Sequence, residues 1–348
     1  YARAGVDINL GNQVKAGLPQ LLASTHRPEV LGKVGGFGGL FALNTRRYQQ
    51  PVLVSSVDGV GTKLKLAFAM DRHDTIGHDL VNHCVNDIAV MGAEPLFFLD
   101  YIGTGKLQPR VFQQIIQGFV RGCTENKCAL IGGETAQMPG FYQPGEYDVS
   151  GTIVGVVEKS KILDGRQIQP GDAVIGLASS GLHTNGYSLA RQIFFERMKL
   201  KPSSRLPEFS RSVGEELLEV HVSYGPLVQQ LLKKFNRAGR PAARKGIAHI
   251  TGGGLTDNIP RILPQTCQAV IHRQQWLRPA IFTLLQEKGE IPEEEMWRVF
   301  NNGIGMVIVI GEEYVVDILQ RLTALGEIAY VLGEIVHRKN GEPPLIYL

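Results

Sequence analysis

The sequence has 348 residues, 43% of them hydrophobic, and a formal net charge of +3. A chain of this length exceeds the size at which one core usually keeps growing, so two domains are expected. The charge is too small to argue for nucleic acid or an anionic membrane, and no run of like charge is longer than Glu293-Glu294-Glu295. The longest apolar run, around Met306 to Ile310, is strand-sized and far short of a membrane span. No signal-peptide pattern opens at Tyr1, which fits a cytoplasmic protein, and the missing initiator Met suggests a start further upstream. Cys84, Cys123, Cys128 and Cys267 form neither a paired framework nor a zinc set, so reduced thiols are expected.

In chain order, the first unusual feature is the glycine-rich segment Gly32 to Leu40. It is not a dinucleotide fingerprint, because Phe41 stands where the last Gly is required. Two readings stand: a flexible connector, or a loop folding over a phosphate chain. Val52-Leu53-Val54 then reads as a buried strand that breaks into Ser55-Ser56 and Asp58-Gly59-Val60-Gly61-Thr62-Lys63. An Asp able to hold a divalent cation, a Lys able to neutralise phosphate and two glycines allowing close backbone approach suit a polyanion. The plainer reading is a glycine turn with an exposed ion pair.

His78 to Met91 has helical spacing. Leu80, Val81, Cys84, Val85, Ile88 and Met91 fall on one side, and Asp79, Asn82, His83 and Asn86 on the other. Asp87 sits at the edge of the apolar stripe, where it is either a snorkelling surface acid or the partner of a cation. Pro95 to Tyr101 is a buried strand carrying Asp100 near its end, where open sheets place ligand groups. Gly103-Thr104-Gly105-Lys106 fails as a phosphate loop, with Asp100 and Leu107 at its required Gly and Ser/Thr positions. Pro109 opens a helix with Val111, Phe112, Ile115, Ile116, Phe119 and Val120 inward. The strand Ala129 to Ile131 and Gly132-Gly133-Glu134-Thr135 then repeat the order of strand, glycines and acid.

A strand over Gly151 to Val157 is followed by a turn-rich stretch ending in Pro170-Gly171-Asp172, which places a boundary between domains 1–164 and 165–348. Ala173 to Ala178 opens the second domain. Ser179 to Gly186 leads into a helix, an arrangement that makes an anion pocket in many α/β folds. Lys201 to Gly214 reads as a surface excursion, and Ile250 to Asn258 supplies a second glycine loop running into a helix. Phe300 to Gly305 precedes the strand Met306 to Ile310; an amphipathic helix (Tyr314 to Ala324) and a short strand (Ala329 to Leu332) follow.

These segments, in this order, resemble the phosphoribosylformylglycinamidine cyclo-ligase (aminoimidazole ribonucleotide synthetase) family. The resemblance is carried by Ala4-Gly5-Val6-Asp7, Arg27 to Val30, Gly35 to Leu40, Asp58 to Lys63, His73 to Gly77 and Cys84 to Asp87. It continues through Gly92 to Tyr101, Gly132 to Thr135, Met138 to Gly140, Ser179 to Tyr187, His249 to Gly254 and Phe300 to Met306. Singly these motifs are weak, but together they cover almost the whole chain. The resemblance implies an α/β fold of α+β type with two domains, each a mixed sheet with helices. It further implies that N-terminal sheets pair into a barrel across a homodimer, with ATP in a cleft partly built across it.

The implied activity is ATP-dependent closure of an imidazole ring on formylglycinamidine ribonucleotide in purine biosynthesis, with ATP and Mg²⁺ as cofactors, K⁺ as a candidate second ion, and no nucleic-acid or membrane partner. Residue by residue, Asp58, Asp87 and Glu134 match metal ligands. Gly35, Gly36, Gly38, Asp58, Gly59, Gly61, Thr62, Lys63 and Asp100 match the nucleotide side. Ser180, Gly181, His183, Asn185, Thr251, Gly252, Gly253 and Gly254 match the substrate side. Lys63, His183 and Asn185 match the catalytic set; His183 reads equally as a hydrogen-bonded structural histidine at a helix start, while His83 and His249 read as structural. Arg261 and Lys245 either meet the ribose phosphate or are solvated charges.

The chain departs from the family pattern at Val57 (usually Thr), Gln137 (usually Glu), Asn302 (Met or Cys) and Glu219 to Ser223, which replaces a Pro-Thr-Arg/Lys-Ile segment. If that segment's base met the ribose phosphate, His221 and Arg261 are the candidate stand-ins. The alternatives are a small-molecule kinase of the same ATP-using superfamily and a catalytically silent nucleotide-binding paralogue. Selenophosphate synthetase is disfavoured, because no Cys precedes the Lys63 loop.

Overall fold

The computed structural model describes residues 6, 8–33, 35–236 and 243–348. Of the motif Ala4-Gly5-Val6-Asp7 only Val6 is among them, and Val34 of the glycine-rich segment also lies outside. The chain forms two compact units, Tyr1–Ala89 with Ala93–Lys161, and Val90–Gly92 with Ile162–Leu348. No helix among the described residues is long and apolar enough to cross a membrane.

The first unit contains α1 (Ile8–Lys15), α2 (Leu18–Ala23), β1 (Pro51–Gly59), α3 (Leu64–Met70), α4 (Ile76–Ala89), β2 (Glu94–Thr104), α5 (Pro109–Glu125), β3 (Ala129–Gln137) and β4 (Tyr147–Glu158). Its sheet runs β1-β4-β2-β3, antiparallel except for the β2–β3 pair. Side chains alternate across a strand, so the register decides what shares a face. One row is Ser56, Ile153, Phe98 and Leu130; the next is Asp58, Gly151, Asp100 and Gly133. Both belong to the face covered by α4 and α5, where Phe98 packs on Phe119. The intervening row, Val57, Thr152, Leu99 and Gly132, belongs to the opposite, outer face.

That outer face is apolar and open: Leu53 is 62% and Val57 65% exposed. Val57 therefore lies on the opposite side of β1 from Asp58, so the hydroxyl it lacks is not taken from beside that carboxylate. α4 also differs from its sequence pattern. Asp79, Asn82, His83 and Asn86, the polar side, are as buried as the apolar side. The reason is that each finds a partner inside: Asn126 Nδ2, for example, donates to Asn82 Oδ1 at 2.9 Å, and buried polar groups persist where they are hydrogen-bonded.

The second unit contains β5 (Ala173–Ala178), α6 (Tyr187–Arg191), α7 (Val213–Leu217), α8 (Gly225–Phe235), β6 (Arg244–His249), α9 (Gly254–Asn258), β7 (Cys267–Ile271), α10 (Ala280–Gly289), α11 (Glu293–Val299), β8 (Ile304–Ile310), α12 (Val315–Ala324), β9 (Ala329–His337) and β10 (Leu345–Tyr347). Its mixed sheet runs β10-β7-β9-β5-β8-β6, with only β10–β7 parallel. β8 is buried at every position, as an unbroken apolar run requires. Among the described residues neither sheet closes on itself, so the expected barrel is not formed by one chain. Asn302 adopts a left-handed φ of 50° and donates to the carbonyls of Met296 (2.8 Å) and Phe300 (3.1 Å), so its side chain closes a turn.

Candidate functional site

In the first unit β1 and α4 bring Asp58, His83, Asp87 and Ser56 together. His83 Nε2 lies 2.8 Å from Asp58 Oδ2 and 3.9 Å from Asp87 Oδ2. Ser56 Oγ donates to Asp87 Oδ2 at 2.9 Å, and the Gly59 amide donates to Asp58 Oδ1 at 2.7 Å. Burial alone would lower the His83 pKa, but the hydrogen bond to Asp58 and the charges of Asp58 and Asp87 outweigh it and raise it. Burial would likewise raise Asp58, and His83 with the Gly59 amide reverses this. Sequence reasoning read His83 as structural; its spacing from Asp87, one helical turn, was the available signal.

Both carboxylates keep accessible oxygen, Asp58 being 42% and Asp87 26% exposed at the side chain. A carboxylate offers about four lone-pair positions, so these contacts do not exhaust them. Oxygen donors on one face suit a hard divalent cation. Glu134 does not join them. It is exposed, faces outward beside Tyr101, and stands three strands from β1, roughly 14 Å at the usual strand spacing. The expected convergence of Asp58, Asp87 and Glu134 within one chain is thus corrected to a pair plus a separate acid.

Lys63 sits inside the first unit. Its Nζ is 2.9 Å from Asp79 Oδ1, and both side chains are fully buried, so in this arrangement the amine lies against an acid rather than open to a phosphate. Gly61 carries a left-handed φ of 65° in the turn before it. Ahead of β1, residues 29–31 pair with 40–42 (Leu31 N to Leu40 O, 2.9 Å; Ala42 N to Glu29 O, 2.7 Å). This lifts Gly35, Gly36 and Gly38 into an exposed tip with Phe37 bare to solvent.

Asp100 is a different kind of carboxyl. It is buried, and burial pushes its pKa up to about 7. A side chain at Gly133 would collide with it, which is why the row needs a glycine there. The folded-state value exceeds the unfolded one, so Asp100 costs stability progressively as pH rises from about 4 to about 7. Asp100→Asn is expected to flatten that part of the stability profile and to stabilise the protein above pH 7 by a few kcal/mol, at about 1.4 kcal/mol per pKa unit. Urea titrations at pH 5 and 8 check it; equal effects at both would contradict it.

In the second unit the Ser179 to Gly186 loop and the Thr251 to Gly254 loop meet, the Cβ position of Gly252 lying 3.3 Å from Asn185 Oδ1. Asn301 Nδ2 donates to Gly181 O at 2.8 Å. Asn258 Nδ2 reaches the carbonyls of Gly252 (3.1 Å) and Gly254 (2.8 Å). Asn258 and Asn301 escaped sequence reasoning because a capping amide has no pattern until its loop is folded. His183 is 1% exposed, with Nε2 accepting from the Ser180 amide at 3.3 Å. Lys245 is paired with Asp172 at 2.5 Å, whereas Arg261 is exposed. His221 is fully buried, which removes it as a stand-in for a base facing a phosphate.

The N-terminal domain of AIR synthase related proteins matches residues 43–157, and the C-terminal domain of the same proteins matches residues 169–345. The chain is 54% identical to a phosphoribosylformylglycinamidine cyclo-ligase from Syntrophotalea carbinolica, over 99% of this chain and 96% of the relative. It is 56% identical to one from Trichlorobacter lovleyi, over 100% of this chain and 98% of the relative. Its fold is similar to that of the hydrogenase maturation protein HypE in complex with ATP, at 14% identity and a TM-score of 0.69, covering 99% of this chain and 93% of the other.

Proposed function

The chain belongs to the phosphoribosylformylglycinamidine cyclo-ligase family, and from that premise we propose how its two units divide the reaction. The enzyme is an ATP-dependent ligase that cyclises formylglycinamidine ribonucleotide to 5-aminoimidazole ribonucleotide in purine biosynthesis. The observation that carries this is identity above 50% over nearly the entire length of both partners. We place the enzyme in the cytoplasm.

A formamide oxygen is a poor leaving group. ATP phosphorylates it, an amidine nitrogen attacks the activated carbon, and phosphate departs as the ring closes. Phosphoryl transfer asks a protein mainly for positioning and neutralisation of charge. The first unit holds the nucleotide, with the exposed Gly35 to Gly38 tip and the Asp58 to Thr62 turn against its phosphates. Asp58 and Asp87 would hold Mg²⁺, which supplies charge neutralisation at the transferring phosphoryl group. His83 keeps both acids oriented. The second unit holds formylglycinamidine ribonucleotide between the Ser180 to Asn185 and Thr251 to Gly254 loops, whose glycines let backbone amides approach a phosphate.

Glu134 acts on the nucleotide of a partner copy. Two features support this reading: the open apolar face bearing Leu53 and Val57, which a second sheet would cover, and the placement of Glu134 on that same face. A test mixes subunits carrying Asp87→Asn with subunits carrying Glu134→Gln. Each alone is expected to be nearly inactive. The mixture regains about a quarter of the wild-type rate, the statistical share of intact sites in a two-fold dimer. No regain contradicts the assignment.

A further inference from the structure

We propose that His221 is a positioning residue that ties the Ser179 to Gly186 loop to the His249 end of β6, holding the two substrate loops in one register. The inference rests on the reading of those loops as the substrate side. His221 lies in the stretch after α7, and it is fully buried. Its Nδ1 lies 3.3 Å from Thr184 Oγ1, within the first loop. Its Nε2 lies 3.1 Å from His249 Nε2, two residues before Thr251 opens the second. Two imidazole nitrogens hydrogen-bond only when one carries a proton and the other does not. Thr184, His221 and His249 therefore form a chain running between the loops, and such chains strengthen in a buried setting.

The chain from Leu217 to Tyr224 is fastened to the first loop and to the residues flanking it at three more points. Tyr187 Oη donates to Leu217 O at 2.6 Å, Ser180 Oγ to Val220 O at 2.6 Å, and Tyr224 Oη to Ala178 O at 2.7 Å. The His221 ring also lies flat on His183, with centroids 4.0 Å apart and planes 23° from parallel. His183 is in the left-handed region at φ 62°, a backbone conformation that persists where its surroundings hold it. Gly305 on β8 leaves room for it, since a side chain there would strike His183 and the Tyr224 hydroxyl. Because a backbone amide can only donate, the Ser180 contact makes Nε2 of His183 the unprotonated nitrogen. His221 thus fixes the plane of a histidine whose tautomer the loop itself selects.

The test is steady-state kinetics of the full chain with formylglycinamidine ribonucleotide and Mg-ATP. His221→Phe keeps a ring over His183 but loses both nitrogens; Thr184→Val breaks the chain from the loop and leaves the ring in place. Both are expected to raise KM for the ribonucleotide about 3- to 10-fold, the scale of a lost hydrogen bond, with KM for ATP unchanged. His221→Gln is expected to recover part of the loss. Unchanged KM values with only a lower Tm, or equal changes for both substrates, overturn the proposal; if His221→Phe does not fold, Thr184→Val decides. Asn185→Ala separates the two levels. If it raises the ribonucleotide KM while Thr184→Val does not, the positioning role fails and the loop reading stands. If it too leaves that KM unchanged, the loop reading fails.

Discussion

Asp87→Asn lowers turnover by about 10²-fold or more, the scale of one lost charge-stabilising contact at a transferring phosphoryl group. The substitution is close to isosteric and its amide oxygen can still accept from Ser56 Oγ, which now donates to Asp87 Oδ2 at 2.9 Å, so the fold is expected to survive. What is lost is a charge 3.9 Å from His83 and on the same face as Asp58. The same variant should need a higher Mg²⁺ concentration for half-maximal rate, whereas its KM for the ribonucleotide should hold. A variant with wild-type kcat at saturating Mg-ATP would remove Asp87 from the site.

Lys63→Met destabilises the first unit by about 3–5 kcal/mol, because it removes the cation of a fully buried ion pair and leaves the Asp79 charge there without it. This is a different prediction from the one the sequence invites, in which Lys63 is a surface cation waiting for phosphate. The two are separated by Lys63→Met/Asp79→Leu, which removes both charges together. Replacing a buried ion pair by apolar groups of similar size is often neutral or favourable, so most of the lost stability should return in a urea titration, with turnover recovering alongside it. Stability restored with turnover still depressed about 10²-fold would return Lys63 to the phosphates.

The contrast shows where the sequence was legible. Strand existence was: Ala173 to Ala178 is bounded as the apolar run implied, and the run through Met306 to Ile310 is the buried β8. Helical periodicity correctly found α4 and α5. It did not find that the polar side of α4 is interior, because the Lys63 that meets Asp79 inside lies sixteen positions earlier and on another element. Periodicity reports that two faces differ, not that one of them is wet. Alternation along β1 and β3 fixes which residues share a face within each strand, but the strand order β1-β4-β2-β3 is needed before Glu134 and Asp58 can be compared. That order places them on opposite faces and three strands apart. His221 illustrates the same limit: its residue type suggested a base for a phosphate, and only the fold shows its two nitrogens on Thr184 and His249.

The most direct measurement follows purified enzyme with formylglycinamidine ribonucleotide and Mg-ATP, reading phosphate release and the nucleotide product together. The account predicts one phosphate and one closed imidazole ring per ATP consumed. Accumulation of a stable phosphorylated acceptor without ring closure, or ATP bound and never turned over, would contradict it.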